Sequence, residues 1–118
     1  METVSLVSLA ARELELAKEA HNGRSSITVY GGRDRHLRQT LIALLAGQRL
    51  PEHASPGDAT LQVISGRIVL STEAGRWELR SGSFVGIPDE VHSVDALEDA
   101  TFLLSVAKTV SHSDPHEA

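Results

Sequence analysis

The chain has 118 residues, 41% hydrophobic and 23% charged, with a formal net charge of −5, which is one domain's worth of material with the balance of a soluble globule. Its acidity, with only Tyr30, Trp77, Phe84 and Phe102 as aromatics, excludes both the basic footprint that phosphates need and a stacking platform for unpaired bases, so no nucleic-acid partner is expected. Cysteine is absent, which removes thiol nucleophiles, thiolate ligands and disulfides and leaves imidazole, carboxylate and hydroxyl as the available chemistry.

In chain order, the segment from Ser8 to Gly23 reads as a helix. Ser8 can cap it, Leu9, Leu16, Ala17 and Ala20 recur at helical spacing, Glu13 falls on the polar side, and Asn22-Gly23 is a stop signal. The opening Met1-Glu2-Thr3 has neither the basic nor the apolar part of an export signal, and no run is long enough to span a membrane. A cytoplasmic protein without a membrane partner is the expectation.

Beyond the helix, short apolar runs alternate with turn residues. Strands are predicted near 26–30, 37–46, 60–65, 67–71, 76–80, 83–87, 91–95 and 100–107. Many short strands at this rhythm indicate an all-β antiparallel sandwich or barrel. Between the first two strands, Gly31-Gly32-Arg33-Asp34-Arg35-His36-Leu37-Arg38 could hold an anion, although a charged hairpin tip is the commoner use of such a segment. Leu41-Ile42-Ala43-Leu44-Leu45 and Phe102-Leu103-Leu104-Ser105-Val106-Ala107 are apolar on both faces. Something must cover their outer side, the helix in part and a second subunit for the rest, so a homodimer is expected. The segment from Lys108 to Ala118 is poor in apolar residues and is expected to be disordered, with His112 and His116 solvated.

The chemistry concentrates in two stretches, Gly47 to Gly66 and Gly82 to His92. They resemble the two motifs of the cupin family, the first of which reads G-x5-H-x-H-x(3,4)-E-x6-G, over roughly residues 37–107. The resemblance implies a cupin double-stranded β-helix, a jelly-roll barrel of antiparallel strands at residues 25–108, preceded by a helical extension at 1–24 and followed by a tail at 109–118. It also implies a metal site built from imidazoles and a carboxylate, of the kind that suits iron, manganese, nickel or zinc. Gly47, His53 and Gly66 match the first motif, while Ser55 stands for its second histidine and Ala59 for its glutamate. In the second motif Gly82, Pro88 and His92 correspond, whereas Glu90 replaces a glycine and Ala96 an asparagine.

Two imidazoles remain where catalytic metal sites use at least three protein ligands. Asp58, next to the lost glutamate, could make a two-histidine, one-carboxylate set with His53 and His92, but only if the strand bulges, and a turn cap is its commoner use. A serine hydrolase built on His53 and Ser55 lacks any marked oxyanion hole or orienting acid. The balance favours a metal-free pocket for a small organic molecule, lined by His53, Ser55, His92 and the apolar Leu61, Val63, Phe84 and Phe102. A metal-dependent oxygenase or isomerase using His53 and His92, and a filled barrel with a purely structural role, are the alternatives.

Overall fold

The computed structural model describes residues 1–53, 57–87 and 89–107. One helix, α1 (Leu6–Glu19), precedes nine strands: β1 (Arg24–Tyr30), β2 (Leu37–Leu44), β3 (Arg49–His53), β4 (Ala59–Ser65), β5 (Arg67–Thr72), β6 (Gly75–Arg80), β7 (Phe84–Ile87), β8 (His92–Ala96) and β9 (Ala100–Ala107). They form two antiparallel sheets, β1-β2-β9-β4-β7 and β3-β8-β5-β6.

Eight strands lie where the turn residues place them; β3 is the one the sequence pattern missed. Its residues, Arg49-Leu50-Pro51-Glu52-His53, carry two charges and a proline and show no clean alternation. They can still form a strand because β3 is a sheet edge bonded only to β8, where a missing proline N–H costs no ladder bond. The β4–β5 corner depends on Gly66, whose φ of +80° is left-handed and whose Cβ would collide with the Asp99 carbonyl oxygen.

The helix differs from expectation in its cap and its buried face. Ser5, not Ser8, is the N-cap, and the Ser8 N–H donates to the Ser5 hydroxyl at 3.2 Å. Its buried residues are Ala10, Glu13 and Ala17, while Leu16 is exposed. Two alanines let the helix lie close to the first sheet. Glu13 is tolerated there, not on the polar side, because the Ser25 hydroxyl donates to its carboxylate at 2.6 Å. Under the helix, the outer face of β2 and β9 is closed: Leu41, Ala43, Thr101 and Leu103 are all buried within the single chain. Further along that face polarity returns, with Gln39 Nε2 donating to Ser105 Oγ at 3.0 Å. The helix therefore covers residues 41–43 and 101–103 of the doubly apolar strands.

Between the sheets, one cluster joins Ile42, Leu44, Leu61, Val63, Ile68, Leu70, Val94 and Phe102. Phe102 is its largest side chain and is 0% exposed. Registers Ile42↔Phe102↔Val63 and Leu70↔Val94 set these side chains on the inward faces of their sheets.

Candidate functional site

Antiparallel pairing brings the ends of several strands to one mouth. The C-terminal ends of β1, β3, β5, β7 and β9 meet there the N-terminal ends of β2, β4, β6 and β8. Both cupin-like motifs contribute to it, since His53 ends β3 and His92 begins β8.

Among the described residues, His92 is the most deeply placed polar side chain at this end, 2% exposed, on the same inward face as Val94 and Ala96. Its Nδ1 lies 3.2 Å from the Glu90 carbonyl oxygen. A carbonyl oxygen only accepts, so in this contact Nδ1 is the donor. Across the ladder the backbone of His92 is in register with Thr72 on one side and His53 on the other. The side chain of His53, and residues Ser55 and Pro88, lie outside the described residues. Glu90, in the place of a motif glycine, has a buried Oε1 with no hydrogen-bond partner among the described residues.

The remaining expected site residues separate into three groups. Leu61, Val63 and Phe102 do point inward, but at 1%, 1% and 0% exposure they are closed in the core and form the floor beneath the mouth. Phe84 requires a correction. It pairs with Gln62, so it sits on the outer face and is 64% exposed, and Val85, paired with Leu61, takes the inward place. The expectation failed because a Ser83-Phe84-Val85-Gly86-Ile87 run is apolar at both parities, and only the register tells which parity faces the core. Asp58 is exposed just before β4, and its carbonyl oxygen accepts from the Ala107 N–H at 2.8 Å. Ala59, where the motif has glutamate, is the inward residue, and it is buried and carries no donor atom.

Among the described residues no three histidine, aspartate or glutamate side chains converge as a metal cage. Ala59, which holds the carboxylate's place, carries no donor atom, and Asp58 lies outside the strand.

Three hollows open at the surface of the described residues, one of them in the segment 31–38 singled out in the sequence. One, of about 500 Å³, is lined by Thr28, Gly31, Gly32, Arg33 and Arg38. Another, of about 270 Å³, opens away from the mouth, toward the N-terminal ends of the edge strands β1 and β3, and is lined by Arg24, Ser26, Ile42 and Leu50 among others. A third hollow, of about 370 Å³, lies at the mouth end of the second sheet and is lined by Thr72, Val91 and His92 together with Arg49, Ser71, Glu73 and Ser93. Away from the mouth, the pKa of the half-buried Arg67 is raised first by the hydrogen bond and charge of Glu98 and then by Glu78.

The arrangement of two facing antiparallel sheets, one covering helix and a histidine-marked mouth can be compared with solved structures. A protein of unknown function from Streptococcus pyogenes superposes with a TM-score of 0.71 over 93% of this chain and 90% of that one, at 23% identity. A cupin superfamily protein from Desulfitobacterium hafniense gives a TM-score of 0.69, 17% identity, and coverage of 80% of this chain and 88% of that one. The fold is that of the cupins. The DMSP lyase DddQ from Ruegeria pomeroyi shares this cupin fold at a TM-score of 0.65 and 16% identity, over 76% of this chain and 49% of that one. By sequence, no protein-family model and no curated protein matches the chain. No helix among the described residues is long and apolar enough to cross a membrane.

Proposed function

We propose that this cupin barrel binds a small organic molecule at its mouth without a resident metal, in a sensing, carrier or accessory role. The observation that carries the reading is His92, a buried imidazole on the inward face whose Nδ1 is held by the Glu90 carbonyl. Buried polar groups persist where they are paired, and an oriented imidazole above an apolar floor of Leu61, Leu70 and Phe102 is the mixture of few polar and many apolar groups that small-molecule sites use. Ala59 argues against a metal-dependent enzyme, although a fold shared with a lyase keeps catalysis within the reach of this architecture.

The test has two arms. Elemental analysis of protein purified without a histidine tag should find metal well below one equivalent in both wild type and Asp58→Ala. A neutral-fragment screen by ¹H–¹⁵N correlation spectra should move the amides of Thr72, His92 and Val106 together, and His92→Ala should abolish that response. One equivalent of iron, manganese, nickel or zinc that is lost in His92→Ala would overturn the metal-free reading. A mouth that neither neutral fragments nor small organic anions perturb would return the barrel to a structural role.

A further inference from the structure

From the β1–β2 corner we infer that the ligand taken at the mouth is a small organic anion, a carboxylate or a phosphate, received by Arg38 and Arg33. The inference rests on the small-molecule reading above and names the chemical class of its ligand.

The chain as a whole is acidic, yet residues 33–38 hold Arg33, Arg35, His36 and Arg38 against the single Asp34. Three barrel arginines are paired with carboxylates: Arg49 with Asp95 at 2.9 Å, Arg67 with Glu98 at 2.7 Å, and Arg80 with Glu78 at 3.1 Å. Arg33 and Arg38 make no ion pair with any carboxylate among the described residues. These two are the arginines that line the cleft of about 500 Å³, a volume within the ordinary range of small-ligand sites.

Position in the ladder explains how they reach it. Arg38 is in register with Val106, and Thr40 with Leu104 and Thr28, which puts Arg38 and Thr28 on the inward parity of their strands. The first sheet thus presents a guanidinium and a hydroxyl at the end of the barrel where the second sheet presents His92. Gly31 lets the chain turn tightly behind them. Its φ is +116°, and a Cβ there would meet the Leu37 carbonyl oxygen at 2.7 Å and the Arg38 Cα at 2.9 Å. The corner is further tied down by Arg35, whose guanidinium carbon stands 5.9 Å from the centre of the Tyr30 ring. A planar fork of donors on a braced corner suits a carboxylate or phosphate better than a neutral group, and it receives such a group bidentately.

Titrations at constant ionic strength with succinate, methylphosphonate and the uncharged dimethyl succinate test this, read from the amides of Thr28, Gly31, Gly32 and Arg38. Succinate or methylphosphonate should shift these amides saturably, dimethyl succinate should not, and the stronger of the two anions identifies carboxylate or phosphate as the source. Arg38→Gln and Arg33→Gln should each weaken that anion by about tenfold or more while leaving the melting temperature unchanged. Unaltered affinity in both variants would overturn the assignment. So would dimethyl succinate binding as tightly as succinate, or neutral fragments moving the His92 amide while neither anion moves the corner, and either result would leave the small-molecule reading standing. Failure of the neutral fragments and of both anions would remove the two readings together.

Discussion

The two ends of the barrel are built from the same strands but solve opposite problems. Toward one end, Leu44, Val63, Ile68, Ala96, Ala100 and Phe102 are buried in one continuous cluster, and the corner beyond them is drawn so tight that Gly66 cannot carry a Cβ. Toward the other end the same strands carry Arg38, Thr40, Thr72 and His92 on their inward parity, and clefts open beside them. A closed end has its geometry over-determined by packing, so an open end can hold polar groups in place without itself being rigidly filled.

Substitutions should separate the two ends by the size of their effect on stability. Phe102→Ala removes the largest buried side chain of the closed end and should cost roughly 3–5 kcal/mol in urea unfolding; a loss below about 1 kcal/mol would mean that this end is not packed as described. Gly66→Ala forces a side chain into left-handed backbone against Asp99 and should cost on the order of 1–3 kcal/mol. Ser5→Ala, at the helix that roofs the first sheet, removes the acceptor for the Ser8 N–H and should cost about 1 kcal/mol, and a null effect would instead return the cap to Ser8. Phe84→Ser should change stability by no more than about 0.5 kcal/mol, because that ring lies on the outer face. A penalty of core size there would restore Phe84 to the barrel interior.

The covering of β2 and β9 shows how far local patterns reach. Their apolarity on both faces does demand a cover, and α1 is that cover, with Leu41, Ala43 and Leu103 buried beneath it. The helical period alone chose the wrong stripe, because Leu16 is more hydrophobic than Ala10 or Glu13 and yet points away. Close helix-to-sheet approach rewards small side chains, and Glu13 is made tolerable only by Ser25, a partner twelve residues further along the chain. The strand β3 escaped for a related reason. Its charges and Pro51 are acceptable only at an edge, and being an edge is a property of the whole sheet.

What the sequence determined by itself is the rhythm of the barrel. The turn residues around Gly31, Gly47, Gly66, Gly75 and Gly82 all have positive φ, so backbone sterics alone place the corners and, with them, eight of the strands. The place of His92 at the start of β8 was legible as well, from its spacing after Gly82 and Pro88. Tertiary structure alone decided which parity of each strand faces inward, and hence that Val85 and not Phe84, and Ala59 and not Asp58, look into the barrel. It also brought Arg38, fifty-four residues from His92 by their positions, to the same mouth. Register is set by pairing across the sheet, and no run of neighbouring residues contains that information.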